Sequence, residues 1–253
     1  MDPLPAPVHA ALRGLSALPY ENLSKIVAYG QGGNMESTLG LAEGWLERNR
    51  ETGAGGTCFS LTWWLAGRIR AAGYGYSLLM GDKGKSRNMH CGLRFKHEGR
   101  AWLLDPGYMI FDPLPLPEAG LSADAWIPPN ALRIEDLPAL GVWRLWSGPR
   151  GDLKQRFDFR RQAVGEAEFF AHWEASYALP MMHYPVLNRV HEGVQYYLQK
   201  RSLLVRTAEG GEMRKLDAAQ LREALVGTFG MPDGLVREAL DVVAARDPDF
   251  FRK

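Results

Sequence analysis

The chain has 253 residues with 46% hydrophobic and 23% charged side chains, and its formal net charge is +1 at pH 7. This balance is typical of a globular protein and gives no basic or acidic excess that would indicate a nucleic acid or a membrane surface as a partner. Two cysteines are too few for a disulfide framework, and neither a membrane-spanning run nor a secretory signal is apparent. We therefore expect a cytoplasmic protein with a large hydrophobic core.

Residues 1–73 are predicted to be mainly helical. Apolar residues over 8–18 and again over 39–48 follow the spacing of an amphipathic helix. Glu21 and Asn22 lie between these two segments, and we interpret both as capping residues for a helix that follows them. A chemical role for this pair is the alternative interpretation.

Cys58 lies where a helix is predicted to begin. Gly55 and Gly56 suit a tight turn with the backbone at positive φ, and the apolar run at 59–72 predicts a buried helix. In the first turn of a helix, the unpaired N–H groups and the helix dipole favour the thiolate, which is the nucleophilic form of cysteine. The alternative interpretation is a small buried core residue, the usual role of a cysteine outside a disulfide.

Two short strands joined by a hairpin turn carry His90 and Asp105, which alternation places on the same face. A two-residue loop at 97–98 would set the two side chains directly opposite each other, and a loop at 98–99 would make them diagonal neighbours. Either arrangement is within reach of a carboxylate–imidazole hydrogen bond. That bond would orient the imidazole to activate Cys58. The alternative is a polar pair on the solvated face of a hairpin.

These residues together resemble the arylamine N-acetyltransferase family. Its nucleophile motif, Arg-Gly-Gly-x-Cys at a helix start followed by a His and an Asp on successive strands, is similar to the segment at 55–59 with His90 and Asp105. A second family signature, Pro-Phe-Glu-Asn-Leu, is similar to Pro19-Tyr20-Glu21-Asn22-Leu23. The resemblance spans nearly the whole chain, and the two motifs together are specific.

The resemblance implies an α+β fold with a transglutaminase- or cysteine-protease-like Cys-His-Asp core. A helical domain at 1–73 would carry the cysteine, an antiparallel β-barrel at 74–165 would carry the histidine and aspartate, and 166–253 would form a linker helix and a C-terminal α/β lid. From the residues alone, the proline-rich stretch 112–117 is predicted to be a connection rather than a central strand. The aromatic helical stripe at 166–177 is predicted to be core.

The resemblance also implies an enzyme that moves an acyl group from an acyl-CoA through a Cys58 thioester to a small-molecule amine. His90 would act as the base and Asp105 would orient it. Coenzyme A would be a co-substrate, with no permanently bound cofactor, and no metal is expected because the cysteine and histidine residues lack ligand spacing. Three residues near the motifs are expected to contact the substrate or the coenzyme: Phe59, Gly107 and Tyr108.

A glycine-containing basic loop is predicted at 81–88. Its cations Lys83, Lys85 and Arg87 are candidate partners for the phosphates of coenzyme A or of a phosphopantetheine arm. A solvated turn is the alternative interpretation, because a short run of charges is usually exposed to solvent.

The chain departs from the family in several places. The motif arginine is Ala54, and the usual Glu and Asn after the cysteine are Ser60 and Thr62. The family's turn after the catalytic aspartate, Asp-Val-Gly-Phe-Gly, helps to accommodate coenzyme A and is Asp-Pro-Gly-Tyr-Met at 105–109. Three other functions therefore stay open: an amide synthase of the same fold that uses an acyl carrier protein as donor, a cysteine hydrolase with the same triad, and a non-catalytic binding protein.

The position of Cys58 gives a first prediction. Cys91 alternates to the face opposite His90 and is predicted to be a core residue. Iodoacetamide at about pH 6 should therefore alkylate Cys58 rapidly and leave Cys91 unmodified, because only Cys58 lies at a helix start that favours the thiolate. Peptide mapping by mass spectrometry after a timed reaction measures both sites. Modification of Cys91 before Cys58 would contradict the assignment.

Overall fold

The computed structural model describes residues 4–30, 32 and 52–251. It is an α+β protein that contains an eight-stranded and a five-stranded antiparallel sheet, with helices alongside both. The predicted α+β class with an antiparallel barrel is thus confirmed. The helix predicted at 39–48 lies outside the described residues.

The helices and strands fall in chain order as follows. The α-helices of the described residues are α1 (Ala6–Gly14), α2 (Leu23–Gly30), α3 (Cys58–Ala71), α4 (Glu166–Ala175), α5 (Ala218–Glu223) and α6 (Asp233–Arg246). The strands are β1 (Tyr20–Glu21), β2 (Ser77–Lys83), β3 (Ser86–His97), β4 (Arg100–Asp105), β5 (Ile110–Pro115), β6 (Ser122–Ile127), β7 (Asn130–Leu137), β8 (Val142–Gly148), β9 (Lys154–Arg160), β10 (Val186–His191), β11 (Val194–Gln199), β12 (Ser202–Arg206) and β13 (Gly211–Lys215).

The described residues divide into two compact units. The first comprises the described residues within Met1–Ser16 and Leu61–His172, and the second those within Ala17–Ser60 and Trp173–Lys253. The earlier division into three parts stays a prediction. None of the described helices is both long enough and apolar enough to cross a membrane.

The first unit contains the eight-stranded sheet, whose strand order is β5-β4-β3-β2-β9-β8-β7-β6. Its two edge strands, β5 and β6, also contact each other, so the sheet is an almost closed barrel. Alternating apolar residues of these strands point inward and pack together, as expected for a closed antiparallel sheet. The buried cluster inside consists of Leu79, Leu103, Ile110, Leu114, Leu132, Ile134, Trp143, Leu145 and Phe159.

Two predictions about the barrel segments need correction. The proline-rich stretch predicted as a connection includes most of β5, because an edge strand tolerates residues without an N–H donor. The loop predicted at 81–88 is instead a hairpin, in which β2 extends to Lys83 and β3 begins at Ser86. Only Gly84 and Lys85 form its turn, and Gly84 has a φ of 58°.

The second unit contains the five-stranded sheet, in the order β1-β10-β11-β12-β13, and α2 contacts α6. The short strand β1 was not predicted from the sequence. The cap interpretation is confirmed for Glu21, whose carboxylate accepts hydrogen bonds from the N–H and the hydroxyl of Ser24 in the first turn of α2. It is wrong for Asn22, whose amide bonds the backbone of Met181, Tyr184 and Val186.

Candidate active site

The turn before Cys58 is held by the first strand of the second unit. Tyr20 forms a parallel bridge with Gly56, and the N–H of Glu21 donates to the carbonyl of Gly56 at 3.0 Å. Cys58 is the first residue of α3, as predicted, and its side chain is 5% exposed. These backbone contacts therefore fix Gly56, two residues before the helix start.

Gly55 is required for a reason that the sequence did not indicate. A Cβ atom at this position would lie 1.7 Å from the carbonyl oxygen of Pro19 and 2.8 Å from its carbon. The predicted positive φ at Gly55 and Gly56 is wrong, because in this segment only Gly53 has a positive φ, of 73°. The backbone at Gly55 thus lies directly against the backbone at Pro19, and this contact links the sequence signature at 19–23 to the one at 55–59.

Within the first unit, the part of α3 from Leu61 onward is hydrogen-bonded to β3. Thr62, in the second turn of α3, is fully buried and donates from Oγ1 to the carbonyl oxygen of Cys91 at 3.4 Å. Cys91 directly follows His90 on β3. Neither cysteine forms a disulfide.

Phe59 was predicted as a substrate contact. Its ring is buried and stacks on Trp173, with 6.0 Å between ring centroids and 18° between ring planes. This is the packing of a core residue. A contact of Phe59 with a substrate stays a prediction.

His90 and Asp105 are hydrogen-bonded in the barrel. His97 pairs with Arg100, so the hairpin turn lies at 98–99, where Glu98 and Gly99 both have positive φ. This register makes His90 and Asp105 diagonal neighbours, the second of the two predicted arrangements. His90 Nε2 lies 2.8 Å from Oδ1 and 2.9 Å from Oδ2 of Asp105.

The hydrogen bond between these two side chains assigns the tautomer of His90. A carboxylate only accepts hydrogen bonds, so His90 Nε2 carries the proton and donates it. In the neutral ring, the lone pair is then on Nδ1, which is the atom able to accept a proton. His90 is 4% exposed and Asp105 is fully buried, so water does not compete strongly for this bond.

Asp105 also organises the turn that follows it. Its Oδ1 accepts a hydrogen bond from the N–H of Tyr108 at 3.0 Å and so caps the 3₁₀ turn Pro106–Tyr108. Met109 ends this turn in the left-handed conformation, with a φ of 61°. Gly107, predicted as a binding residue, is buried in the turn. Asp105 therefore fixes both the histidine and the unusual turn.

Aromatic rings surround the imidazole of His90. Phe157 stacks on it with 4.2 Å between ring centroids and 14° between planes. Tyr108 and Phe159 meet it edge-on, at 6.2 Å and 5.8 Å between centroids. Phe157 was missed by the sequence analysis, although it alternates with Phe159 along β9.

The basic side chains predicted to bind phosphate differ in their surroundings. Lys83 and Lys85 are both exposed, Lys83 at the end of β2 and Lys85 in the turn of the β2–β3 hairpin. Arg87 is exposed too, but its guanidinium donates to the buried carboxylate of Asp82 at 2.6 Å. Asp82 also accepts from the N–H of Asn88. Lys83 and Lys85 are thus more readily available to a phosphate than Arg87.

A metal site is not found among residues 4–30, 32 and 52–251. Within these ranges no three His, Cys, Asp or Glu side chains are grouped as metal ligands would be. The first unit brings together an oriented imidazole and a buried carboxylate, and the second unit carries a thiol at a helix start.

Comparison with known proteins gives a clear result for the fold only. No model of a known protein family matches the chain, and no curated protein sequence matches it significantly. Solved structures of arylamine N-acetyltransferases do match it. That of Mycobacterium abscessus has a TM-score of 0.80 at 17% identity, over 96% of this chain and 89% of that one. That of Nocardia farcinica has a TM-score of 0.78 at 21% identity, over 100% and 90%.

A third similar structure contains a ligand. The Mycobacterium marinum arylamine N-acetyltransferase in complex with CoA has a TM-score of 0.76 at 18% identity, over 99% of this chain and 94% of that one. The chain thus has the fold of the arylamine N-acetyltransferases over almost its whole length. The fold expected from the sequence motifs is confirmed.

The close approach at Gly55 gives a second prediction. Gly55→Ala should destabilise the protein by about 3 kcal/mol or more, because the added methyl would overlap the Pro19 carbonyl. Gly67→Ala is the matched control, since nothing lies within 4 Å of a Cβ there and the residue is inside α3. The control should gain about 1 kcal/mol. Urea unfolding measures both, and equal stabilities for the two variants would refute the close approach.

Proposed function

We propose that the protein is a cysteine-dependent N-acyltransferase of the arylamine N-acetyltransferase type. The observation that carries the proposal is the buried His90–Asp105 hydrogen bond, which leaves His90 Nδ1 as a base. Two further observations support it: Cys58 begins α3, and the chain has the fold of these enzymes. The catalytic residues would be Cys58 as nucleophile, His90 as acid and base, and Asp105 as the residue that orients His90.

The first half-reaction transfers the acyl group to the enzyme. His90 Nδ1 takes the proton of Cys58, and the thiolate attacks the carbonyl carbon of a thioester donor. The new carbon–sulfur bond forms a tetrahedral intermediate, whose oxyanion would be bound by the N–H of Cys58 and a neighbouring N–H. The bond to the donor sulfur then breaks, and the departing thiolate receives the proton from His90.

The second half-reaction transfers the acyl group to an amine. The amine nitrogen attacks the Cys58 thioester while His90 removes its proton. The carbon–sulfur bond to Cys58 breaks, the amide leaves, and the thiol is restored. Asp105 stabilises the imidazolium that forms in both halves and holds the ring in the required tautomer.

Coenzyme A is the proposed carrier of the acyl group, and it would be a co-substrate rather than a bound cofactor. The complex of the M. marinum enzyme with CoA supports this donor. The acceptor would be a small-molecule amine. No nucleic acid or membrane takes part in this reaction.

One observation favours a different donor for the same chemistry. The turn after Asp105 begins with Pro106, which has no N–H to donate, and Tyr108 and Met109 fill space there. Such a turn offers coenzyme A fewer backbone contacts than a glycine-rich one. The second candidate is therefore an amide synthase that takes its acyl group from a carrier protein. A hydrolase would use water in place of the amine and needs the same three residues.

Replacing Asp105 gives a third prediction. In Asp105→Asn, one of the two oxygens that lie 2.8 and 2.9 Å from His90 Nε2 becomes an amide nitrogen, which can face the ring as a donor while the remaining oxygen accepts from the Tyr108 N–H. The imidazole is then forced into the tautomer with its proton on Nδ1, and acylation should slow by a factor on the order of 10³ to 10⁴. The acylation rate of Cys58, followed by intact-protein mass spectrometry, measures this.

Asp124→Asn is the control for this variant, since Asp124 is exposed on β6 and pairs with Arg133. It should acylate at the wild-type rate. Circular dichroism and urea unfolding check that Asp105→Asn keeps the fold. A folded Asp105→Asn protein with activity within a few-fold of wild type would remove Asp105 from the mechanism.

The donor site gives a fourth prediction. We expect acylation by acetyl-CoA to be slow and to fall between about 20 and 500 mM salt, because charge attraction from exposed lysines is screened. Replacing both Lys83 and Lys85 with Gln should remove most of this salt dependence, whereas Lys215→Gln on β13 should leave it unchanged. A longer acyl chain or a carrier-protein donor should react faster, by adding apolar contacts or a docking surface. Fast, salt-independent acylation by acetyl-CoA would refute this account of the donor.

A further inference from the structure

A β-bulge places Arg156 in an unusual position on the barrel. On β8 and β9, Leu145 pairs with Phe157 and Trp146 pairs with Gln155, so Arg156 is an extra residue without a partner on β8. A bulge of this kind redirects a side chain and is frequent beside active sites. Arg156 is thereby turned to the face of β9 that carries Phe157.

The contacts of Arg156 confirm which face it occupies. Its Nε donates to Ser147 Oγ at 3.0 Å, and its Nη2 donates to the Ser147 carbonyl at 3.1 Å. Ser147 is buried, and it alternates along β8 with the core residues Trp143 and Leu145. The guanidinium of Arg156 is therefore hydrogen-bonded to a residue on the inner face of the eight-stranded sheet.

Arg156 is connected to the surroundings of His90 by two routes. The next residue, Phe157, stacks on the imidazole. Ser147, which holds the guanidinium, also shares a hydrogen bond of 2.6 Å with the hydroxyl of Tyr108, whose ring meets His90 edge-on. Two hydrogen bonds, from Arg156 to Ser147 and between Ser147 and Tyr108, thus connect the guanidinium to a ring that contacts His90, the proposed base.

The charge of Arg156 has no acidic partner in the part of the chain that the structure describes. Neighbouring arginines do have one, since Arg133 pairs with Asp124 and Arg144 pairs with Asp158 at 2.7 Å each. A half-buried guanidinium bonded only to serine keeps unused donors in a fixed planar arrangement. Burial of a cation without a counter-charge is unfavourable, and an anionic ligand would offset that cost.

We propose that Arg156 forms a subsite for a carboxylate carried by a substrate, either on the acyl group or on the amine. The planar guanidinium suits the two oxygens of a carboxylate, and the ring of Tyr108 would lie along the substrate between the carboxylate and the reacting atom. Ser147 and Tyr108 position the subsite. The proposal rests on the proposed acyl transfer, which it makes more specific.

The test compares charged and neutral substrates in each half-reaction. Succinyl-CoA and butyryl-CoA test the acyl group through the rate of Cys58 acylation. 4-Aminobenzoate and 4-aminobenzamide test the amine through the rate of discharge of the acylated enzyme. The variants are Arg156→Gln and Arg156→Lys, and the control is Arg150→Gln, which removes a nearby guanidinium that stacks on Trp126 instead.

Arg156→Gln should lower kcat/KM about 10- to 100-fold for the carboxylate-bearing substrate of one pair and change the neutral partner only a few-fold, as expected for a lost hydrogen bond to a charged group. Arg156→Lys should retain part of the preference, and Arg150→Gln should retain all of it. A preference in the first half-reaction assigns the carboxylate to the acyl group, and one in the second assigns it to the amine. Equal loss on charged and neutral substrates, or no loss on either, would overturn the subsite.

A binding measurement separates this proposal from the proposed function. Benzoate titrated into the wild-type protein should bind at least tenfold more tightly than into Arg156→Gln, with or without catalytic activity. If benzoate binding depends on Arg156 but no donor acylates Cys58, the subsite stands and the acyltransferase proposal fails. If donors acylate Cys58 while neither binding nor rates depend on Arg156, the subsite fails and the acyltransferase proposal stands.

Discussion

The hydrogen bond between Asp105 and His90 is the interaction on which the site depends. A carboxylate with no exposure to solvent must be compensated by hydrogen-bond donors, and Asp105 has two, the imidazole of His90 and the N–H of Tyr108. The first donor bond sets the tautomer of the imidazole that we propose as the base. The second shapes the turn after β4 and brings the Tyr108 ring to the edge of the imidazole. One buried side chain therefore determines both the tautomer of His90 and the conformation of the turn that carries Tyr108.

Much of the site could be predicted because its residues follow local rules. A glycine turn before an apolar run indicated the helix start at Cys58, and strand alternation placed His90 and Asp105 on one face. The register stayed open, since a two-residue loop at 97–98 or at 98–99 suits the sequence equally well. The structure selects the second, in which Glu98 and Gly99 both adopt positive φ.

The features that the sequence did not indicate depend on contacts between distant segments. Gly55 is needed because the Pro19 backbone passes against it, and a single sequence cannot distinguish this use of glycine from a positive φ. The bulge at Arg156 depends on how β8 and β9 pair, which neither strand encodes alone. The segment at 81–88 was predicted to be a loop because charged residues and glycines are typical of loops. In the structure, the ends of β2 and β3 pair there across a two-residue turn.

The central claim is that Cys58 carries the acyl group as a thioester. Its most direct test is to incubate the protein with an acyl-CoA in the absence of amine, digest it, and locate the added mass by peptide mapping. The account predicts one acyl group on the Cys58 peptide, removed by hydroxylamine and by an added arylamine with formation of the amide. An acyl group on any other residue, or a Cys58 that stays unmodified by acyl-CoA and by acyl carrier protein donors alike, would contradict it.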